Sequence, residues 1–364
     1  MTVRRVLIAG GAGYIGSHAA KALRLAGREP IVFDDLSSGH DHAVKWGPLV
    51  NGDIRDSDAL RAAIRQHKPD AVMHFAARIE VGEGEKDPVG FYENNVAGAL
   101  NMVRVMLEEG VDKLVFSSTC AIYGDPERLP LTEDLPKRPV SVYGRTKLMV
   151  EQMLEDISRA RGLKFAALRY FNAAGADPDG EIGEEHDPES HLIPNAIKAA
   201  VGRGGAMKLF GLDYPTPDGS CLRDYVHVDD LAQAHILAAD KLSEETPRLQ
   251  LNLGAGKGYS VLDVLRAVER ATGRPVPYDV APRRAGDAVA LYADTTQVRE
   301  MLGWEAKHDL DSIVSSAWNF HRRIWGLGNE PPLRAEPAGV DPVGADPGGA
   351  RPVGARPPGA RPGG

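Results

Sequence analysis

Val6 to His18 reads VLIAGGAGYIGSH. An apolar run enters a glycine cluster, and a segment with helical spacing leaves it. Gly10, Gly13 and Gly16 are spaced G-x-x-G-x-x-G, and Gly11, Gly13 and Gly16 give the overlapping G-x-G-x-x-G. A strand turning this sharply into a helix needs positions without a Cβ, both for positive φ and so that a pyrophosphate can approach the backbone. The amides of Tyr14 and Ile15 would then open the helix, where unpaired N–H groups and the dipole favour an anion. The next apolar run ends in FDD, and Asp34 lies 18 residues beyond Gly16. That is close to the ~20 expected for the carboxylate that bonds a dinucleotide ribose. Such a carboxylate repels a 2′-phosphate, so the pattern selects NAD over NADP.

Outward from this turn, short apolar runs alternate with helix-like segments. Val6–Gly10, Pro30–Asp35, Leu49–Asp53, Ala71–Ala77, Lys113–Ser118 and Lys164–Tyr170 are continuously apolar in their bodies rather than alternating. This suits parallel strands covered on both faces. Between them, DALRAAIRQH and NNVAGALNMVRVMLEEG have helical spacing, the latter stopping at Gly110. The expected fold is α/β, a doubly wound parallel Rossmann-type sheet occupying residues 1–171. A smaller mixed α/β lobe is expected over 172–328, with return elements near 226–262 that include LQLNLGAG as another strand of the main sheet. It opens with NAAGADPDGEIGEEHDPES, rich in Gly, Asp, Glu and Pro and read as an exposed loop. HLIPNAIKAAVG, VDDLAQAHILAADKL and SVLDVLRAVERATG read as helices, and MKLF and YVHV as short strands. Residues 339–363 are five pentapeptides rich in Gly and Pro, so 329–364 reads as a disordered spacer or partner-binding tail.

Composition narrows the function. Of 364 residues, 43 are Lys or Arg and 51 are Asp or Glu, a net charge of −8. An acidic chain of this kind is not expected to bind nucleic acid or an anionic membrane. No apolar run is long enough to span a bilayer, and MTVRRVLIAGGAG is expected to enter a strand directly, since it lacks the features of a secretory signal. Two cysteines, Cys120 and Cys221, give no disulfide framework, so a cytoplasmic location is expected. No metal site is assigned.

Further along, SVYGRTK places Tyr143 and Lys147 four residues apart, on one helix face. An isolated pair of this spacing is ordinarily surface. After a dinucleotide cradle it has a chemical use. A free phenol titrates near pH ~10, and a neighbouring ammonium and an oxidised nicotinamide both favour the phenolate. Tyr143 then takes a proton from an alcohol as the cofactor takes the hydride, and Lys147 also holds the nicotinamide ribose. Thr119, closing the strand in FSSTCAIYG, adds a hydroxyl at the carboxyl end of the sheet. Asp53 and Ile54, after the third strand, are candidates for the adenine edge. Ala76 and Ala77 would let a cofactor lie against the backbone.

GGAGYIGSH, Y-x-x-x-K, SSTCAIYG, RYFNAAGA, RDYVHVDDLA and NLGAGKGYS together resemble the extended short-chain dehydrogenase/reductase family, over residues 3–325. Within it the likeness is to the UDP-sugar 4-epimerases. This implies a tightly held NAD, C4 oxidation to a 4-keto sugar, and re-reduction on the opposite face, interconverting UDP-glucose and UDP-galactose. It adds Phe75 and Asn95 to the cofactor residues. It implies Asn172, His191, Arg223, Tyr225, Arg284, Asp287 and Leu291 as substrate contacts beside Thr119 and Tyr143. The arginines would clamp the diphosphate, and Asp287 would accept from a ribose hydroxyl. It also implies a homodimer formed through helices near 92–109 and 143–160.

The chain departs from the family in places. Thr119 stands where serine is frequent, and His191 where asparagine is common. Ile79 occupies a position where some relatives carry lysine. Leu291 matches a position that gates sugar size, which leaves UDP-N-acetylhexosamine or UDP-pentose turnover open. Cys120 and Ala121 replace the Asp-Glu pair of the related 4,6-dehydratases, which disfavours dehydration. A non-catalytic NAD-binding regulator is the alternative from another class; an intact Tyr143 and Lys147 argue against it.

Overall fold

Seven parallel strands carry the molecule: β1 (Arg5–Ala9), β2 (Glu29–Asp34), β3 (Leu49–Asn51), β4 (Ala71–His74), β5 (Lys113–Thr119), β6 (Lys164–Tyr170) and β7 (Arg248–Leu253). Their spatial order is β3-β2-β1-β4-β5-β6-β7. The chain's direction across the sheet reverses between β1 and β4, and the carboxyl ends at such a switch point form a crevice. This is a computed structural model that describes residues 2–284 and 287–328, all within one compact unit. The pentapeptide tail lies outside the described residues.

The apolar strand bodies follow from burial on both faces. In β1, Val6 and Ile8 pack with Leu23 and Leu231, from helices Tyr14–Leu25 and Val228–Lys241. Leu7 and Ala9 point the other way, into Leu60, Val103 and Leu154 of helices Ser57–His67, Ala99–Glu108 and Val142–Arg161. Alternate residues therefore serve opposite cores, and none is free to be polar.

Beyond Tyr170 the chain builds small sheets. Asn172–Ala174 pairs with Tyr225–His227, and Leu222–Arg223 lies between Tyr259–Ser260 and Ala290–Leu291. Helices Leu192–Ala200, Val261–Thr272 and Leu310–Ile324 enclose a separate apolar cluster around Ile197, Val268 and Ile313. Ser260 and Asp263 form a reciprocal capping box at the start of the second of these helices.

Two expectations need correction. NNVAGALNMVRVMLEEG is not one α-helix: Glu93–Gly98 is a π-helical turn, followed by α-helix Ala99–Glu108. The wide turn sits where Gly98 packs so tightly on Ile54 that a Cβ would come within 2.7 Å of its Cδ1. The polar segment after Ala174 is not simply exposed: Asp177 and Glu184 are only 2% and 4% accessible. Its charges are anchored rather than solvated. Lys21 Nζ sits among Asp177, Asp179 and Glu181 at 2.6, 3.0 and 3.0 Å, and Tyr14 Oη donates to the Gly175 carbonyl at 2.7 Å. Among the described residues no helix is long and apolar enough to cross a membrane, and Cys120 and Cys221 are both free thiols.

Candidate active site

A cleft of about 620 Å³ runs along the carboxyl ends of the strands. Gly10, Gly13, Tyr14, Ile15 and Gly16 form one wall. Gly10 adopts φ +81°, and a Cβ there would lie 2.5 Å from the Ala76 amide nitrogen. A Cβ on Gly16 would lie 2.1 Å from the Gly10 carbonyl oxygen. Gly13 caps helix Tyr14–Leu25 without a side chain. The first-turn amides thus keep no side-chain partner, the arrangement that receives a phosphate.

Asp34 also faces the cleft. Its carboxylate accepts from the Ala12 and Leu36 amides, each at 2.9 Å, which pins the glycine turn to the end of β2. Burial raises its carboxyl, and the two amides oppose that shift. Lone pairs remain for a ribose hydroxyl. Ile54, Phe75, Ala76 and Ala77 complete this half. Asp53 and Asn95 are not among the cleft residues. Asp53 is paired with Arg55 Nε at 2.9 Å. Asn95 accepts from the Arg78 amide at 2.8 Å and donates to the Arg78 carbonyl at 3.0 Å and to Thr146 Oγ1 at 3.2 Å. It is Asn94, its neighbour on the π turn, that reaches the cleft.

Tyr143 stands in the first turn of helix Val142–Arg161, whose start is set by Ser141 Oγ accepting from the Gly144 amide at 3.1 Å. Thr119, at the end of β5, shares the cleft with it. Lys147 lies beneath, 2% accessible, with Nζ donating to the Ser117 carbonyl at 2.8 Å and 5.8 Å from the centre of the Tyr143 ring. Burial pushes the Tyr143 phenol well up, opposed by the Thr119 hydroxyl. Burial alone brings Lys147 down to about 7. Neighbouring Cys120 is pushed by burial up to about 12, so its thiol stays protonated.

The substrate candidates separate into two groups. Asn172 and His191 line the same cleft as Tyr143. Arg223, Asp287 and Leu291 come together elsewhere: Leu291 is the strand neighbour of Arg223, and Arg223 Nη2 reaches Asp287 Oδ1 at 3.4 Å. Arg284 stacks on Phe210 with 4.3 Å between the guanidinium carbon and the ring centre. Tyr225 is buried, paired in strand register with Asn172.

Several residues that hold the site are not singled out by the sequence. Asp224, fully buried, accepts from Ala255, Gly256 and Ala293 amides at 2.7, 3.1 and 3.1 Å, which places the loops behind Arg223. Burial raises its carboxyl to about 6 against those amides. Glu151 and Arg169 form a buried ion pair at 2.6 Å, joined by Ser118 Oγ. Tyr170 Oη donates to Ser117 Oγ. Glu184, His186, Glu189 and His191 gather their donor atoms within 4.8 Å, although the sequence reading assigns no metal. The spacing E-x-H-x-x-E-x-H over 184–191 was the available signal.

A dinucleotide cradle, a Tyr–Lys helix and a strand-end hydroxyl on one cleft define a nucleotide-dependent enzyme of the short-chain dehydrogenase/reductase type. Residues 6–254 match the model of the NAD dependent epimerase/dehydratase family, and the chain belongs to that family. It is 50% identical over 323 residues to a UDP-glucose 4-epimerase of Rhizobium meliloti, covering 89% of this chain and 98% of the relative. The crystal structure of UDP-glucose 4-epimerase from Brucella ovis in complex with NAD is 49% identical, with TM-score 0.85 over 87% of this chain and 98% of that one. The Bifidobacterium longum UDP-glucose 4-epimerase, in complex with NAD+ and UDP, is 36% identical with TM-score 0.83, covering 88% and 98%.

Proposed function

We propose that this chain is an NAD-dependent isomerase that interconverts UDP-glucose and UDP-galactose. The observation that carries the reading is the opening of Tyr143 and Thr119 into the same cleft as the Gly10–Gly16 cradle. The cradle fits a pyrophosphate, because its first-turn amides are uncapped and Cβ atoms at Gly10 and Gly16 would fill the space. Gly10, Gly13, Tyr14, Ile15 and Gly16 would hold the phosphates of NAD, Asp34 a ribose, and Ile54, Phe75, Ala76 and Ala77 the flat faces. When bound, NAD supplies the hydride acceptor and a positive charge beside the phenol.

Tyr143 Oη takes the proton of the sugar C4 hydroxyl and returns it once the 4-keto sugar has turned over, so one group acts as base and then acid. Burial opposes the phenolate, so a nearby cation is required to reach it at neutral pH. Thr119 Oγ1 orients the hydroxyl. Asn172 and His191 bind the sugar-nucleotide beside it. Arg223 and Asp287, with Arg284, Tyr225 and Leu291 around them, anchor the uridine diphosphate end and keep the ketone from escaping. Cys120 and Ala121 offer no acid–base pair for dehydration.

Residues 1–171 serve the dinucleotide and 172–328 mainly the sugar-nucleotide. A cytoplasmic homodimer is the working form, supported by apolar side chains left exposed on neighbouring helices, Leu100 at 47% and Met149 at 44%. Incubation with UDP-galactose tests the activity. UDP-glucose should accumulate to equilibrium without added reductant. Bound NAD with no conversion would favour a non-catalytic regulator.

A further inference from the structure

Glu184, His186, Glu189 and His191 each bring one donor atom within 4.8 Å of the other three. His191 Nδ1 is 2.8 Å from Glu184 Oε1 and 3.0 Å from Glu189 Oε1. His186 Nδ1 is 3.4 Å and 3.9 Å from the same two oxygens. Four donors on a tetrahedron with bonds of about 2.0–2.2 Å stand about 3.3–3.6 Å apart. The four imidazole–carboxylate separations, 2.8 to 3.9 Å, bracket that spacing.

Hydrogen bonding alone leaves the group unbalanced. The two carboxylates have side-chain exposures of 5% and 2%. They converge on one ring nitrogen, which carries at most one proton. Glu189 Oε1 also accepts from the Ser190 and His191 amides, each at 2.9 Å. His186 Nδ1 is buried with no hydrogen-bond partner. Among the described residues, the ion pairs of Glu184 and Glu189 are made with these histidines and with no lysine or arginine. The other acidic group on this segment is different, because Lys21 already fills the space among Asp177, Asp179 and Glu181.

We propose that Glu184, His186, Glu189 and His191 bind one divalent transition-metal ion of the zinc class. Two imidazole nitrogens with two carboxylate oxygens suit zinc and its borderline neighbours, whereas magnesium and calcium prefer oxygen-only sets. One such ion neutralises both carboxylates and gives both Nδ1 atoms a partner. Four protein donors close the shell, which makes the ion structural rather than catalytic; Glu184, His186 and His191 line the cleft, and His191 gives the ion Nδ1 and keeps Nε2 for the sugar-nucleotide. Its surroundings say what it fastens. The Tyr14 ring is 6.4 Å from that of His186, and His191 is the N-cap of helix Leu192–Ala200. The ion ties the segment beside the glycine turn to the first helix after it.

The test uses the full-length protein, stripped with a chelator, desalted and titrated with Zn²⁺ alone against a chromophoric competitor. One ion per chain should bind tightly. His186→Ala and Glu184→Gln should each weaken it by about 100-fold or more, since loss of even an outer-shell partner costs 10–100-fold. Zinc-edge anomalous scattering from wild-type crystals should place the ion among the four side chains, an answer that needs no variant to fold. A wild type that retains no zinc, or zinc held equally by both variants, would overturn the proposal and leave an imidazole–carboxylate ion pair in its place.

Discussion

At Gly10 the backbone has φ +81°, and a methyl group would meet the Ala76 amide nitrogen at 2.5 Å. Gly10→Ala therefore costs twice, in left-handed strain of about 1–2 kcal/mol and in displacement of the cradle from β4. The strain lowers stability, and the displaced cradle should lower NAD affinity by roughly tenfold or more in isothermal titration, about 1.4 kcal/mol. Lys147 makes a prediction about pH. Its folded value near 7 lies below its ordinary 10.5. The unfolded chain then holds one more proton between about pH 7 and 10.5, so the dinucleotide-free protein gains stability as pH rises through that window. Below pH 7 both states are charged and the cost of burying the ammonium is present in full. Urea unfolding should show the wild type gaining about 2 kcal/mol between pH 7 and 9 relative to Lys147→Met. Equal pH slopes for the two would show that Lys147 is not depressed. At this scale placement was legible wherever spacing encodes it: the glycines, Asp34 and Tyr143 line one cleft, and Lys147 lies beneath Tyr143. It was not legible for Asp224, whose three amide partners are 31 to 69 residues away.

Elements are held in place by contacts that no local pattern announces. Helix Val142–Arg161 carries both Tyr143 and Lys147, and the Glu151–Arg169 pair fastens it to β6 with both side chains at most 2% exposed. Removing one partner leaves an uncompensated buried charge, a loss of about 3–5 kcal/mol. Arg169→Met should destabilise by that amount in chemical denaturation and lower turnover, while replacing both residues by apolar ones recovers part of the stability. The strands were readable because burial on both faces leaves a continuous apolar run. The π turn was not, since Glu93–Gly98 has the same apolar spacing as an α-helix and its widened turn answers to Gly98 against Ile54. Adjacent residues face different ways on any helical turn, so Asn94 reaches the cleft while Asn95 bonds Arg78 and Thr146. The segment after Ala174 misled in another way. Its charges resemble a solvated loop, but Lys21, which pairs with three of them, lies more than 150 residues away in sequence.

For the molecule as a whole, the sheet order and the cleft explain why a phosphate cradle near the N-terminus meets a tyrosine far along the chain. The exposed Leu100 and Met149 belong to neighbouring helices on one flank. Sedimentation velocity at micromolar concentration should give a dimer, and Leu100→Glu with Met149→Glu should give a folded monomer. A monomeric wild type would remove that assembly. Sugar range is tested at Leu291, which packs beside Phe171 and Tyr123. Leu291→Tyr should lower turnover of UDP-N-acetylhexosamines relative to plain hexoses in a substrate panel. The most direct measurement is Tyr143→Phe, assayed for UDP-galactose conversion and for bound NAD in the same preparation. Turnover should fall by about 10²–10⁴-fold, the usual worth of a positioned acid–base group, with the dinucleotide still bound. Conversion at the wild-type rate by that variant would mean the proton is moved by another group, and the role given to Tyr143 would be wrong.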